Sequence, residues 1–376
     1  MELKELLHKL IELQGSDLHI LAGLPPAVRV HGHLRSLEGY DRLTPDVSRE
    51  LAYSLLTDDQ KRHFEHDDDA RYELDFSYGV PGLGRFRCNL HKQRGTVALS
   101  LRALSSVIPR LEDLGLPDSV KAFTEAKRGL VLVTGPTGCG KSTTLAAFID
   151  AINQTRCEHI ITIEDPIEYI HNSKKSYVTQ REVGLHGDTL SFKNALKYTL
   201  RQDPDVILVG EMRDYETIAV ALTSAETGHL VFATLHTLNA SQTVERMVDA
   251  FPVDQQSQVR TQLGTNLVGV ISQILLPRAD MQGRVLACEV LIANFAVRNN
   301  IRLGKPEAIY QAIQTGAQEG MVTLDQSITK LVKEGKVDYE TARPFIYDKA
   351  THETLRQVSR PGVRPAPPHS PFGERK

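Results

Sequence analysis

The 376-residue sequence has no tryptophan and only four cysteines, which stand alone at positions 88, 139, 157 and 288. No two of them have the C-x-x-C spacing that zinc sites use, and isolated cysteines make no disulfide framework. No apolar run approaches the ~20 residues needed to cross a bilayer, and the first residues lack the apolar segment of a signal peptide. We therefore expect a cytoplasmic protein without a zinc site.

An excess of positive charge is also missing. The sequence has 44 lysines and arginines against 47 aspartates and glutamates, a net charge of −3. This balance excludes a globally basic nucleic-acid binder, although it leaves room for a local basic patch, and we expect no nucleic-acid partner. Hydrophobic residues make up 41% of the chain, which is typical of a folded protein. At ~150 residues per domain, the length predicts two or three domains.

Residues 1–105 have the pattern of a small α+β domain. Four leucines have the i, i+3, i+4, i+7 spacing of one helix face: Leu3, Leu6, Leu7 and Leu10. Residues 45–63 also have helical character, whereas 71–78 and 84–104 alternate apolar and polar residues as strands do. A linker with proline and glycine is predicted at 106–118.

The pattern changes from residue 119 onward. Four short apolar runs are expected to be strands buried on both faces: 129–134, 159–164, 205–210 and 229–235. Helical segments separate them, at 142–155, 191–201 and 214–226. This alternation predicts an α/β domain with a mostly parallel sheet over residues 119–350, with one β-hairpin near 270–291. The proline-rich tail, residues 351–376, is predicted to be disordered.

A complete GxxxxGK[ST] motif lies between the first apolar run and the helix that follows it: Gly135, Pro136, Thr137, Gly138, Cys139, Gly140, Lys141 and Ser142. In such a loop the backbone N–H groups point at phosphate oxygens, and the next helix adds its positive dipole end. We expect Lys141 to reach the β- and γ-phosphates of ATP, Ser142 to ligate Mg²⁺, and Thr143 to assist at the α-phosphate. The flanking strand and helix argue against a chance glycine-rich turn.

Two of the apolar runs end in carboxylates, Glu164 and Glu211. Because ligands bind beyond the carboxyl ends of parallel strands, both glutamates are expected to face the nucleotide. Either is a candidate base for activating water; Glu164 is favoured, and Glu211 is assigned to Mg²⁺ through water. The neighbouring Asp165 and Glu168 have ordinary surface-turn chemistry as their alternative.

Two histidines, His229 and His236, flank the fourth apolar run. A lone histidine at a strand end is usually structural, but two at one strand favour a role near the nucleotide. We expect His229 to sense the γ-phosphate or to relay between subunits, and His236 to hydrogen-bond the acidic groups. Metal ligation is disfavoured because a strand of this length separates the two rings by ~20 Å.

Four segments together resemble the secretion-ATPase superfamily: GPTGCGKSTT at 135–144, ITIEDPIEYIH at 161–171, ILVGEMRD at 207–214 and AETGHLVFATLHT at 225–237. They are similar, in this order, to its Walker A, Asp box, Walker B and His box. The resemblance implies a homohexameric ring in which each subunit has a PAS-like N-terminal α+β domain and a RecA-like P-loop NTPase domain.

The superfamily carries phosphate-contacting arginines on strands of its N-terminal domain, and the matching strands here hold Arg87 and Arg102. Alternation along a strand puts Arg85 on the same face as Arg87, and a guanidinium matches the geometry of a phosphate. We assign Arg87 and Arg102 to the nucleotide. A solvated sheet face is the alternative for Arg85 and Arg94.

Within the superfamily, the chain is similar to the ATPases that retract type IV pili. Residues 296–302 resemble the AIRNLIRE motif of that branch, and the chain departs from the motif at Val297, Asn300 and Leu303. The missing four-cysteine module separates the chain from pilus-extension and type II secretion ATPases, which are the alternative. On its pattern alone, the segment is typical of an amphipathic surface helix.

The function that this resemblance implies is ATP hydrolysis, with Mg²⁺, that powers pilus retraction and twitching motility. The implied partners are identical subunits, an inner-membrane platform protein (PilC-like) and an accessory PilU-like paralogue. Association with the membrane is then peripheral, through docking at the inner-membrane pilus machine.

Overall fold

The computed structural model describes residues 1–30, 32–66, 72–104, 107–184 and 187–358. In chain order the strands are β1 (Asp17–Ile20), β2 (Ala27–Val30), β3 (His33–Ser36), β4 (Glu73–Val80), β5 (Gly84–Gln93), β6 (Thr96–Ala103), β7 (Gly129–Thr134), β8 (His159–Glu164), β9 (Tyr177–Glu182), β10 (Val206–Val209), β11 (Leu230–Leu235), β12 (Leu267–Pro277) and β13 (Arg284–Ile292). The helices are α1 (Leu3–Glu12), α2 (Pro45–Tyr53), α3 (Asp58–His66), α4 (Ala122–Glu125), α5 (Lys141–Thr155), α6 (Phe192–Thr199), α7 (Tyr215–Glu226), α8 (Ala240–Asp249), α9 (Gln256–Asn266), α10 (Phe295–Leu303), α11 (Pro306–Thr315), α12 (Leu324–Lys333), α13 (Tyr339–Ala342) and α14 (Lys349–Val358).

The chain forms two compact units that are not continuous in sequence. The first contains Met1–Pro109, Ala146–Met212 and Ala219–Ser224, and the second contains the remainder. This division differs from the domain limits expected from the sequence, because residues 146–212 group with the N-terminal residues; those limits stay a prediction. Within the described residues, no helix is both long enough and apolar enough to span a membrane.

The N-terminal part of the first unit is an antiparallel sheet of six strands in the order β3-β2-β1-β6-β5-β4. The predicted leucine face of α1 is confirmed, since Leu3, Leu6, Leu7 and Leu10 are all buried. They belong to one hydrophobic cluster with side chains of the sheet. Burial of a leucine removes it from water at a gain of about 2 kcal/mol, so this one helix face contributes much of what holds the helix in place.

The helical character predicted over 45–63 is confirmed, and the structure divides this range between two helices, α2 and α3. Thr44 caps α2, its hydroxyl accepting from the N–H of Val47 at 3.3 Å. A second cap begins α3: the Gln60 N–H donates to the Thr57 hydroxyl, and the Thr57 N–H donates to the Gln60 side chain. This reciprocal pair is a capping box, which fixes the start of a new helix at this point.

The first unit also contains three parallel strands in the order β10-β8-β9. Strands β8 and β10 match two of the predicted apolar runs. Strand β9 was not predicted, because its sequence, Tyr177–Glu182, is polar and only partly buried. It pairs with β8 from His159 opposite Tyr177 to Glu164 opposite Glu182.

Four strands of the second unit lie in the order β13-β12-β7-β11. Strand β7 is parallel to both β11 and β12, and β12 and β13 form the predicted antiparallel hairpin. All residues of β7 and β11 are buried, as expected for strands covered on both faces. The predicted α/β class with a mostly parallel sheet is confirmed.

The tail predicted to start at residue 351 is wrong at its beginning, because α14 continues to Val358. Leu355 is fully buried in a cluster with Leu324 and Ile328, and this contact holds the helix against α12. The polar residues around Leu355 gave no sign of this burial in the sequence. Residues 359–376, the rest of the predicted tail, lie outside the described residues.

His171, in the loop that follows β8, is a buried histidine with an unusual titration. Its side chain is 9% exposed, and its Nδ1 has no hydrogen-bond partner among the described residues. Burial lowers the pKa of His171 to about 4, since the protonated ring is excluded from a dry site. An unfolded histidine has a pKa of about 6.5, so the unfolded chain takes up this proton first as the pH falls.

Replacing this histidine should flatten the acid dependence of stability. Between about pH 7.5 and about pH 5, wild type should lose about 2 kcal/mol more unfolding free energy than His171→Gln, by proton linkage. The measurement is chemical unfolding at both pH values. His8→Gln, at an exposed position of α1, is the control and should behave as wild type. Parallel pH profiles for wild type and His171→Gln would contradict the burial argument.

Candidate functional site

The loop after β7 turns sharply on glycines. Three glycines of the loop have positive φ angles, 138° at Gly135, 76° at Gly138 and 92° at Gly140. Residues that carry a Cβ rarely adopt such angles. At Gly135 space is also lacking, because an added Cβ would lie 2.2 Å from the carbonyl oxygen of Gln273. The curled backbone therefore depends on glycine, as the sequence motif predicts.

The loop runs directly into α5, and Lys141 is the first residue of that helix. The Lys141 ammonium donates to the carbonyl oxygens of Gly135 at 2.8 Å and Pro136 at 3.1 Å, so the side chain lies along the loop. Ser142 and Thr143 follow in the first turn, partly exposed. The N–H groups of a helix start and the helix dipole favour an anion at this position.

The β12–β13 hairpin borders the same loop. The Gln273 amide donates to the carbonyl oxygen of Cys139 at 2.9 Å, and the Arg284 guanidinium donates to that of Gly138 at 3.1 Å. Burial raises the pKa of the Cys139 thiol, so this cysteine packs as a small neutral group. Neither Gln273 nor Arg284 was predicted from the sequence as a site residue. Gln273 lies in the mostly apolar strand β12 and Arg284 begins β13, and neither belongs to a sequence motif.

Glu164 ends β8 and is held by two side-chain donors. The Thr162 hydroxyl donates to its Oε1 at 2.6 Å and the Gln180 amide donates to the same oxygen at 3.1 Å. Gln180 is itself fixed, since it also donates to the Tyr169 carbonyl and accepts from the His171 N–H, both at 2.8 Å. Burial raises the pKa of Glu164 despite these donors, which is the direction required of a general base.

Glu211 follows β10 by two residues, next to the end of β8. Gly210 donates its N–H to the Ile163 carbonyl at 2.7 Å. A Cβ on Gly210 would lie 3.2 Å from the Cα of Glu164, so the two strand ends are in close contact there. Glu164 and Glu211 thus leave neighbouring strands at one edge, as predicted. They lie in the first unit, whereas the phosphate loop lies in the second.

Glu182 is a residue of this region that sequence reasoning missed. It lies opposite Glu164 in the β8–β9 pair and is 7% exposed. Its carboxylate accepts from the Ser77 hydroxyl at 2.6 Å, from Arg85 at 3.2 Å and from the Ile167 N–H at 3.3 Å. Glu182 therefore links β4 and β5 of the antiparallel sheet to the turn that follows Glu164. No local motif marks it, because its partners are distant in sequence.

The arginines of the antiparallel sheet lie where alternation predicts. Arg87 and Arg102 are direct cross-strand neighbours on β5 and β6. Arg102 donates to Asp17 at 2.9 Å and is 65% exposed. Arg85 is not on a solvated face, since it pairs with the buried Glu182. Arg94 is exposed in the turn between β5 and β6, which favours the surface alternative for that residue.

A cleft of about 380 Å³ lies within the first unit. Arg87 and Asn89 line one side of it, and Asp165, Glu182 and Gly184 also contribute to its walls. The cleft therefore brings one of the two predicted arginines to the segment that follows Glu164. Arg102 does not line it.

The two roles expected for His229, sensing the γ-phosphate or relaying between subunits, stay predictions, and the structure places His229 away from the phosphate loop of its own chain. Leu230, the residue after His229, pairs with Gly129 at the start of β7, whereas the phosphate loop leaves the other end of that parallel strand. At ~3.3 Å per residue the intervening strand is well over 10 Å long. His236 follows the end of β11 and is exposed at the same edge as the phosphate loop.

A model of the family described as "Type II/IV secretion system protein" matches residues 89–366, which include the phosphate loop, both strand-end glutamates and α10. The chain belongs to this family. The matched range also includes Gln273 and Glu182, so the residues found only in the structure lie within the shared region.

Members of the family resemble the chain over nearly its whole length. The type IV pilus retraction ATPase PilT of Pseudomonas aeruginosa is 48% identical over 343 residues, 91% of this chain and 97% of that protein. A twitching motility protein of Neisseria gonorrhoeae is 49% identical over 323 residues, 86% of this chain and 84% of that protein. The crystal structure of the pilus retraction motor PilT with bound ADP superposes with a TM-score of 0.86 at 50% identity, covering 94% and 99% of the two chains.

Proposed function

We propose that this chain is a hexameric ATPase motor that hydrolyses ATP to power type IV pilus retraction, and with it twitching motility. The observation that carries the proposal is the glycine-dependent phosphate loop at the N-terminus of α5. Its support is the likeness, over about nine-tenths of the chain, to a retraction ATPase and to a retraction motor holding ADP.

Binding of the nucleotide falls to the loop residues 135–143. Backbone N–H groups of the loop and of the first turn of α5 hold the phosphates, and Lys141 moves from the Gly135 and Pro136 carbonyls to the β- and γ-phosphates. Ser142, in the first turn of α5, and Glu211, which follows β10, are the residues that would hold Mg²⁺ in this proposal. The ion supplies neutralisation of phosphate charge.

Glu164 acts as the base in this proposal. Its carboxylate accepts a proton from water, and the fixed Thr162 and Gln180 side chains keep it oriented. Arg87 and Arg102 present guanidinium groups to the phosphates, where positive charge stabilises the transferring group. Movement of the antiparallel sheet would then be transmitted toward the base through Glu182, which accepts hydrogen bonds from the sheet and from the turn that follows Glu164.

Partners and location follow from the same proposal. Six copies form a ring, which docks at the cytoplasmic face of the inner membrane on a pilus platform protein and shares the work with an accessory paralogue. The competing assignment is a pilus-extension or type II secretion ATPase. Deleting the gene separates them: hyperpiliated, non-twitching cells support retraction, and cells without pili support extension.

The phosphate loop is tested by Lys141→Ala. Loss of the only loop ammonium should lower ATP turnover by about a hundredfold or more, as for other preorganised charge-stabilising groups. Phosphate release is the measurement, with circular dichroism to verify folding. Lys127→Ala, exposed just before β7, should retain wild-type turnover. Wild-type turnover in Lys141→Ala would refute the loop assignment.

The base is tested by a pH profile. The Thr162 hydroxyl stabilises ionised Glu164, so Thr162→Val should raise the pKa of Glu164 further and move the acidic limb of kcat/KM to higher pH. Thr179→Val, on the neighbouring β9 with its hydroxyl on His159, should leave the limb in place. An unmoved limb in Thr162→Val would exclude Glu164 as the titrating base.

The link to retraction is tested on α10. Arg298 is structural, because its guanidinium donates to the carbonyls of Ala293 and Thr265, whereas Arg302 is exposed. Arg302→Ala should therefore keep ATP turnover within about twofold, the usual small effect of a surface change, while abolishing twitching. Arg356→Ala, exposed on α14, is the matched control and should twitch normally. Normal twitching in Arg302→Ala would reject its role.

A further inference from the structure

Gln273 lies where β7 gives way to the phosphate loop. Strand β12 runs parallel to β7, and the last pair of the two strands is Ser272 opposite Thr134. Their hydroxyls are 2.8 Å apart. The next residue of β12 is Gln273, and the next residue of β7 would be Gly135. Gln273 is therefore the strand residue placed beside the start of the loop.

The Gln273 side chain joins both ends of the loop. Its Nε2 donates to the carbonyl oxygen of Cys139 at 2.9 Å, and its Oε1 accepts from the Thr144 hydroxyl at 3.1 Å. The residue is 1% exposed. A buried amide must satisfy a donor and an acceptor, and this one uses one of each on either side of Lys141.

The main chain of Gln273 restricts the loop as well. Its carbonyl oxygen occupies the space that a side chain at Gly135 would need, at 2.2 Å from the Cβ position. Its Nε2 lies 3.3 Å from the Cβ position of Gly140. One residue outside the motif thus lies against the first and last glycines of the motif.

The bond to Cys139 has a directional consequence. A trans peptide is planar, and its C=O and N–H point in opposite directions. When the Cys139 carbonyl is held toward Gln273, the N–H of Gly140 in the same peptide is aimed away from Gln273. That N–H is one of the groups with which such loops bind phosphate.

We infer that Gln273 is a positioning residue for nucleotide binding, one that orients the Cys139–Gly140 peptide and ties it to α5 through Thr144. The inference rests on the proposed nucleotide-binding function and names a residue outside the GxxxxGK[ST] motif. An amide is required, because a carboxylate has no donor for the Cys139 carbonyl and would place negative charge beside the phosphates.

The test is the affinity for ADP of the full-length protein, measured by calorimetry. Gln273→Glu should raise the Kd by about tenfold or more, the equivalent of losing one buried hydrogen bond at ~1.4 kcal/mol. Gln282→Glu makes the same chemical change at an exposed position of the β12–β13 turn, and should bind as wild type. In steady-state assays of Gln273→Glu, the KM for ATP should rise by a larger factor than kcat falls. An unchanged Kd for ADP in Gln273→Glu would overturn the inference.

A double-mutant cycle guards against a variant that fails to fold. Gln273→Met keeps the length of the side chain and lacks the amide, and Thr144→Val removes the hydroxyl donor. If Gln273 acts through Thr144, the double variant should raise the Kd for ADP by less than the product of the two single effects. If the Kd of the double variant rises by the full product of the two single effects, Gln273 does not act through Thr144. Failure of wild type to bind ADP would instead refute the proposed function, so the two failures are distinguishable.

Discussion

The close approach of β12 to the end of β7 is the constraint on which the site depends. The Gln273 carbonyl leaves no room for a side chain at Gly135, and the φ angle of 138° at Gly135 is one that only glycine adopts easily. The turn brings the loop back across the strand end and into α5. Lys141, Ser142 and Thr143 owe their position at the helix start to this geometry.

A second set of contacts orients the carboxylates of Glu164 and Glu182. Glu164 and Glu182 are cross-strand neighbours on β8 and β9. Glu164 accepts from Thr162 of its own strand and from Gln180 of β9, whereas Glu182 accepts from Ser77 of β4. The Glu164 carboxyl has a pKa raised by burial, so its basicity is set by the protein interior. Glu182 accepts hydrogen bonds from both the antiparallel sheet and the turn after Glu164.

The elements that the sequence predicts correctly are those coded over a few adjacent residues. The leucine spacing of α1, the apolar runs of β7 and β8, and the GxxxxGK[ST] loop each depend on a local pattern. Glu164 and Glu211 were found because parallel strands all end at one edge. That rule does not apply to His229, which stands at the start of β11, away from the phosphate loop of its own chain.

The features that were missed depend on contacts between distant residues. Strand β9 is polar, and only pairing with β8 makes it a strand. The roles of Gln273 and Glu182 come from partners more than one hundred residues away, such as Cys139 and Ser77. Leu355 anchors α14 in a cluster formed by two other helices and a hairpin. The residue pattern within one segment cannot predict contacts with residues so distant in the sequence.

In the proposed motor, identical chains assemble and split a triphosphate at the loop before Lys141. Phosphate release from ATP with Mg²⁺, measured as a function of protein concentration, tests this most directly. If rings assemble, the rate of phosphate release per chain should rise with protein concentration to a plateau. Absence of phosphate release at every concentration would contradict the proposed motor.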